Sequence, residues 1–183
     1  MQDTVRAYTR DLVAAFAAQG TPVDISQNGN EITYGFLVPV GAIYGGPTGL
    51  NWPDFTSLVN AGVVGAKQGA GTRGIQIMIH IHPGDSASWT RWWFDNFVQY
   101  DVPFDIIGVS YYPFMAGGLS SLLYNVSSNS ARYTKPVLVA EVSYPWTLAD
   151  GDSKPNIIAP TPVLPDGALY PPTLRARRRS TRR

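Results

Sequence analysis

The chain contains two glutamates, Glu31 and Glu141, and each closes a segment that reads as a β-strand. Residues 136–140, directly before Glu141, form a short apolar run typical of a buried parallel strand. The two glutamates lie about 110 residues apart, which is between three and four units of a (β/α)₈ barrel at roughly 31 residues per unit. Catalytic groups in that fold lie at the carboxyl ends of strands, and two carboxylates facing each other across a pocket can cleave a glycosidic bond.

Strand-like and helix-like segments alternate along the chain. Apolar spacing predicts helices over 3–19, after an N-cap at Asp54, after a cap at Ser86 or Ser88, and around 119–126. Strands are predicted to begin near positions 22, 74, 104 and 136, and residues 32–53 form a long loop. Strict alternation implies right-handed βαβ units and a parallel sheet, so the predicted fold class is α/β, a partial (β/α)₈ TIM barrel.

The pattern ends near residue 150. We expect residues 1–149 to form a partial (β/α)₈ barrel domain, and residues 150–183 to be a Pro-rich and Arg-rich disordered tail. Six of the fourteen Lys and Arg residues occupy the last nine positions, so the rest of the chain is mildly acidic. That balance argues against a nucleic-acid face on the folded part. A tail that binds nucleic acid, or one not native to this fold, is the less favoured alternative.

Other chemistry-bearing residues are few. His80 and His82 are the only histidines, and their spacing puts them on one face of a strand. No third ligand or acidic partner is evident, so we predict neither a metal nor a cofactor. Trp89, Trp92 and Trp93 have helical spacing and predict packing between a helix and the sheet. No apolar stretch approaches the roughly 18 residues of a membrane span, so no membrane association is expected.

Four short motifs stand at or near the ends of the predicted strands: Asn30-Glu31, Met-Ile-His at 78–80, residues 105–113, and Val-Ala-Glu at 139–141. Together they resemble glycoside hydrolase family 53, the arabinogalactan endo-β-1,4-galactanases, over about residues 3–147. Ser-Tyr-Tyr-Pro at 110–113, with the later Glu141, is the most family-specific part. The resemblance implies a retaining, extracellular hydrolase of β-1,4-galactan with a (β/α)₈ barrel, of which this chain carries strands four to seven.

The resemblance also implies roles for individual residues. Glu31 would be the acid/base and Glu141 the nucleophile, while Asn30 would bond the 2-hydroxyl of the sugar being cleaved. His80 would supply a hydrogen bond in the pocket, and Trp146 would stack on a sugar or pack in the core.

Tyr111 and Tyr112 are also expected in the site. Because side chains alternate along a strand, only one of them points into the pocket and can donate its hydroxyl to the nucleophile. Which of the two does so stays open.

The missing strands limit what the chain can do. A half-barrel exposes two strand edges and an apolar face, so we expect that the chain alone is not a competent galactanase. Robust release of reducing ends from β-1,4-galactan would contradict that expectation. If the chain folds, we expect a monomer. The alternatives are another retaining barrel hydrolase of the same clan, such as a mannanase or cellulase, or a non-catalytic carbohydrate-binding remnant.

Overall fold

The computed structural model describes residues 1–46, 49–145, 147, 149, 151–154, 164 and 166. The described residues contain four helices: α1 (Gln2–Ala18), α2 (Trp52–Ala70), α3 (Ala87–Phe97) and α4 (Leu119–Tyr133). The strands are β1 (Ile25–Gln27), β2 (Gly35–Phe36), β3 (Gly41–Ala42), β4 (Tyr44–Gly46), β5 (Gly49–Leu50), β6 (Gln76–Ile81), β7 (Ile106–Tyr111) and β8 (Val137–Val142). The predicted alternation of four helices with four main strands is confirmed.

The main sheet has the strand order β1-β6-β7-β8, and all its pairs are parallel. Alternation along each strand separates two faces. Ile79 of β6 and Val109 of β7 belong to the apolar core shared with the helices. Residues at the intervening positions, among them His80 and Ser110, point to the opposite face. The site therefore belongs to the face that the helices do not cover.

The pairing of β7 with β8 contains a bulge that decides which way Glu141 points. Val139 lies opposite Val109, but the next pair joins Ser110 to Glu141, so Ala140 is an extra residue in β8. If Ala140 paired regularly with Ser110, Glu141 would share the face of Val139, which packs against the helix-side core. The bulge turns Glu141 to the face of Ser110 instead, as bulges beside active sites commonly re-aim a side chain.

Two details differ from the sequence-based expectation. Helix α2 begins at Trp52 with Asn51 as its N-cap, so Asp54 lies in the first helical turn and is not the cap. Asn51 donates its side-chain N–H to the carboxylate of Asp54 at 2.9 Å. The long loop contains a 3₁₀ turn over Ile32–Tyr34 and two short antiparallel hairpins, β2-β3 and β4-β5.

Both edges of the sheet are unpaired within the described part of the chain. On β8, Leu138 is 45% and Val142 is 64% exposed. Beside β1, an open apolar groove of about 840 Å³ separates that strand from α1 and includes Tyr8 and Phe16. A closed barrel covers such surfaces with further strands and helices.

Two residues beyond position 154 are described. Leu164 is buried, and Asp166 accepts a hydrogen bond from the backbone N–H of Leu119 at 2.7 Å, which satisfies a free donor at the start of α4. The other residues over which a disordered tail is predicted lie mostly outside the described part of the chain. Among the described residues, no helix has the length and apolarity needed to cross a bilayer.

Candidate active site

Glu31, His80 and Glu141 come together although they are far apart along the chain: Glu31 follows β1, His80 lies in β6 and Glu141 lies in β8. One carboxylate oxygen of each glutamate and one ring nitrogen of His80 all lie within 4.8 Å of one another. His80 is fully buried, whereas both glutamates are partly exposed. The two glutamates predicted from sequence spacing are therefore adjacent in space. The imidazole of His80 comes from β6, which lies between β1 and β8 in the sheet.

A tight turn, and not the end of a strand, positions Glu31. Strand β1 ends at Gln27, and Glu31 caps the following 3₁₀ turn in the left-handed conformation, with φ of 44°. Gly29 also has positive φ, and a Cβ there would lie 2.5 Å from the side chain of Ile32. The turn therefore requires glycine at this position, and holding a non-glycine residue left-handed costs about 1 kcal/mol or more, as is common at functional sites.

Hydrogen bonds fasten this turn to the end of β6. The backbone N–H of His82 donates to the hydroxyl of Thr33 at 2.9 Å, and that hydroxyl lies 3.2 Å from the carbonyl oxygen of His82, to which it can donate. The indole N–H of the fully buried Trp93 donates to the carbonyl of Thr33 at 2.9 Å. Packing of Trp93 in the core is as the sequence predicts. The conformation that aims Glu31 is thus held by contacts to β6 and α3.

His80 links the two sides of the site. Its Nδ1 accepts the backbone N–H of Glu31 at 3.4 Å, so the proton is assigned to Nε2, which lies 2.9 Å from the hydroxyl of Ser110. Burial lowers the pKa of His80, although the charges of Glu141 and Glu31 act in the opposite direction. A neutral imidazole therefore positions the backbone of Glu31.

Buried His80 makes stability depend on pH. Because its pKa is lower in the folded state, its contribution is present above its ordinary pKa and is lost as pH falls through the folded value. We expect the free energy of unfolding to fall below about pH 6.5 by at most roughly 1.4 kcal/mol per pH unit from this group. Urea titrations should show a shallower pH dependence for His80→Gln. Equal slopes in the variant and the wild type would contradict the assignment.

Glu141 is held by Tyr112. The Tyr112 hydroxyl donates to Oε2 of Glu141 at 2.6 Å, a short charge-assisted bond that raises the pKa of Tyr112 to about 12. The other oxygen, Oε1, lies 3.9 Å from Nδ1 of His80. Tyr111 is turned away: it is buried in the core, and its hydroxyl donates to the carbonyl of Gly117 at 3.0 Å. Of the two tyrosines, the structure brings Tyr112 and not Tyr111 to the site.

Similarity to known proteins assigns the chain to a family. A family model for glycosyl hydrolase family 53 matches residues 1–174. The chain belongs to glycosyl hydrolase family 53. The match extends past residue 147, where the resemblance noted in the sequence analysis ends.

Individual relatives and a solved structure agree with this assignment. The chain is 36% identical over 181 residues to an uncharacterized protein of Niallia circulans, covering 98% of this chain and 48% of that protein. It is 33% identical to the arabinogalactan endo-beta-1,4-galactanase of Humicola insolens, covering 75% and 42%. The GH53 catalytic domain of Ignisphaera aggregans superimposes with a TM-score of 0.75 at 33% identity, covering 86% of this chain and 41% of that domain.

The chain thus spans less than half the length of each of these three proteins. The solved neighbour confirms the predicted fold class, because the four parallel strands form part of a (β/α)₈ barrel.

The hydroxyl of Tyr112 offers a direct test of how Glu141 is held. Tyr112→Phe removes one donor from a carboxylate whose charge changes during reaction, and we expect about 100-fold slower hydrolysis by analogy with the loss of one preorganised donor. Because the pKa of Tyr112 is about 12, its proton stays in place across neutral and mildly alkaline pH. Tyr111→Phe is the matched control: it removes the bond to Gly117, costs about 1 kcal/mol of stability, and should leave the rate near wild type. Equal losses in the two variants would contradict the role of Tyr112.

The remaining predicted site residues are less constrained. Asn30 is exposed, and its side-chain oxygen accepts a hydrogen bond from Gln27 at 3.1 Å. Trp146 lies outside the described residues. No sequence pattern predicts a role for Thr33. Ser110 belongs to the Ser-Tyr-Tyr-Pro motif, but the motif alone predicts no hydrogen-bond partner for it. Their roles follow only from spatial neighbours.

The three clustered side chains offer atoms of the kinds that bind metal ions. However, Nδ1 of His80 already accepts a hydrogen bond from Glu31, and one oxygen of Glu141 accepts from Tyr112. We assign no metal here, and the expectation of none stays a prediction.

Proposed function

We propose that this chain carries the catalytic pair of a retaining endo-β-1,4-galactanase, which hydrolyses β-1,4-galactosidic bonds in arabinogalactan. The observation that carries the proposal is the approach of Glu31 and Glu141 to within 4.8 Å. Retaining glycosidases keep their carboxyl groups about 5–5.5 Å apart, whereas inverting enzymes need about 6.5–9.5 Å for an intervening water. The names of the relatives from Humicola insolens and Cellvibrio japonicus support galactan as the substrate.

The first chemical step uses the two carboxyls on opposite sides of the glycosidic bond. Oε2 of Glu141 is occupied by the Tyr112 hydroxyl, which leaves Oε1 to attack the anomeric carbon. As that bond forms, protonated Glu31 gives its proton to the glycosidic oxygen, and the leaving sugar departs as an alcohol. The product of this step is a galactosyl ester of Glu141.

The second step reverses these roles. Ionised Glu31 takes a proton from a water molecule, the water oxygen attacks the anomeric carbon, and the ester bond to Glu141 breaks. Two inversions give overall retention, and both carboxyls return to their starting protonation states. The bond from Tyr112 favours the departing carboxylate because it is strongest when Glu141 is charged.

We also propose that the described part of the barrel limits the rate. The unpaired edges of β1 and β8 leave the sheet less constrained than in a closed barrel, and misplacement of reacting groups by about 1 Å can reduce rates about 100-fold. Slow hydrolysis is therefore expected from the chain alone.

The proposed substrate also favours a location outside the cell, because the polysaccharide is large.

The test is release of reducing ends by the purified chain from β-1,4-galactan, β-mannan and carboxymethyl cellulose. We expect slow turnover of galactan alone, and proton NMR should show the β-anomer of the new reducing end before mutarotation. First appearance of the α-anomer would overturn retention, and a preference for mannan or cellulose would overturn the substrate. Turnover as fast as that of a full-length relative would overturn the limit set by the open sheet.

A further inference from the structure

A buried hydroxyl, that of Ser110, lies between the strands that carry His80 and Glu141. Ser110 belongs to β7, which stands between β6 and β8 in the sheet, and it pairs with Glu141 of β8. Its Oγ lies 2.9 Å from Nε2 of His80, and both residues are buried. The two steps of the proposed reaction give this hydroxyl no proton to move. Its task therefore has to be sought in the imidazole that it contacts.

Close approaches of the backbone fix the distance between His80 and Ser110. Gly108 lies opposite His80 in the pairing of β6 with β7, and a Cβ there would lie 3.2 Å from the Cβ of His80. The backbone N–H of Gly84 donates to the carbonyl of Ser110 at 2.7 Å, and a Cβ at Gly84 would lie 2.5 Å from that oxygen. Glycine at these two positions lets the segments around the hydrogen bond pack tightly, so the hydroxyl is held at the ring.

The position of the ring proton of His80 follows from the donors around it. A neutral imidazole has one donor and one acceptor nitrogen. The backbone N–H of Glu31 can only donate, so Nδ1 accepts and Nε2 carries the proton. That proton is buried and needs an acceptor, which the Ser110 hydroxyl supplies. In the other tautomer, the N–H groups of His80 and Glu31 would point at each other.

The choice of tautomer affects the proposed nucleophile. Nδ1 of His80 lies 3.9 Å from Oε1 of Glu141, the oxygen that attacks the anomeric carbon in the proposed reaction. A proton on Nδ1 would face that oxygen, and a shift of roughly 0.7 Å would complete a hydrogen bond. Attack would then require that bond to be broken, because a new bond to carbon forms at the same oxygen. With Nδ1 unprotonated, the imidazole offers Oε1 no donor.

We propose that Ser110 is a positioning residue that acts through His80. By accepting the proton of Nε2, its hydroxyl stabilises the tautomer in which Nδ1 holds the backbone of Glu31 and leaves Oε1 of Glu141 without a donor. The effect on the reaction rests on the proposed role of Glu141 as the nucleophile. A hydroxyl that served packing alone would not influence which ring nitrogen carries the proton.

Nitrogen NMR tests the tautomer without any substrate. The chain has two histidines, so labelling histidine with nitrogen-15 gives two sets of ring signals, and the set that is lost in His80→Gln belongs to His80. At neutral pH we expect a protonated Nε2 in the wild type and a proton wholly or partly on Nδ1 in Ser110→Ala. Ser110→Thr keeps the hydroxyl and should restore the wild-type signals.

Two results of this NMR experiment would overturn the proposal. One is a proton on Nδ1 of His80 in the wild type, and the other is an unchanged tautomer in Ser110→Ala. If Ser110→Ala does not fold, Ser110→Cys makes the same comparison, because its thiol is only a weak acceptor.

Kinetics test whether the tautomer matters for Glu141. Ser110→Ala should lower kcat/KM for an aryl β-galactobioside about tenfold, as expected for the loss of one hydrogen bond. Binding of β-1,4-galactotetraose, measured in the Glu141→Gln background where hydrolysis is blocked, should stay near wild type. Ser110→Thr should regain most of the rate. Ser127→Ala is the control, because that hydroxyl donates to the carbonyl of Leu123 within α4, and it should match the wild type.

The two measurements separate the ways in which the proposal can fail. A shifted tautomer with a wild-type rate in Ser110→Ala would overturn the effect on Glu141. A slower rate with an unchanged tautomer would overturn the action through His80. A parent chain that does not hydrolyse the galactobioside would overturn the galactanase function, whereas the tautomer is measured in either case.

Discussion

Glu141→Gln is expected to slow hydrolysis of an aryl β-galactobioside by at least about 10³-fold and to leave binding of galactotetraose nearly unchanged. The amide has the same shape as the carboxylate but is not nucleophilic, so the galactosyl ester does not form. Its oxygen still accepts the hydrogen bond from Tyr112, which keeps the side chain in place. An aryl leaving group lowers the barrier of the first step, so even the slow rate expected for this chain becomes measurable.

The covalent intermediate gives an independent measurement. A 2-deoxy-2-fluoro galactobiosyl donor with an activated leaving group should add one glycosyl mass to the intact chain, and peptide mapping should place it on Glu141. The Glu141→Gln variant should show no adduct. Asp3→Asn, an exposed carboxylate on α1, serves as the control and should be labelled like wild type. Labelling of another residue, or full activity of Glu141→Gln, would contradict the assigned nucleophile.

Glu31→Gln should give a loss that depends on the leaving group. Galactotetraose needs a proton on its departing oxygen, so its hydrolysis is expected to fall about 10²–10⁴-fold. A dinitrophenyl galactobioside needs no such proton in the first step. It should therefore react in a burst followed by slow release, because the second step still lacks a base.

Azide separates the acid/base role from simple damage to the site. The small anion can attack the galactosyl ester without a base, so it should restore turnover of the dinitrophenyl substrate by Glu31→Gln and yield a β-galactosyl azide. Azide should not rescue Glu141→Gln in this way. Equal losses on both substrates with no response to azide would contradict Glu31 as the acid/base.

Much of the fold could be predicted from the sequence because the apolar spacing of helices and strands is strong in this chain. The four main strands appear where alternation placed them, although β1 is limited to Ile25–Gln27. The weak point was the segment between Gln27 and Trp52. Short hairpins such as β2-β3 contain too few residues to show a period of alternating apolar and polar side chains, so the sequence cannot distinguish them from a loop.

The two glutamates of the proposed catalytic pair could be predicted from the sequence, but their geometry could not. Regular alternation puts Glu141 on the same face as Val139, toward the helices, and only the register against β7 reverses it. The Ser-Tyr-Tyr-Pro motif offers two tyrosines, and alternation predicts that only one of them faces Glu141. The structure shows that this residue is Tyr112. Ser110 and Thr33 act through partners that are distant along the chain, which a local pattern does not record.

The extra residue at Ala140 affects the shape of β8 more than the face on which its glutamate lies. Deleting Ala140 would place the glutamate directly after Val139 and opposite Ser110, so regular alternation would keep its carboxylate on the face of Ser110. The deletion would instead remove the local bend and the added twist that a bulge gives to a strand. A one-residue gap at this point of an alignment would therefore not by itself indicate that the carboxylate has left the site.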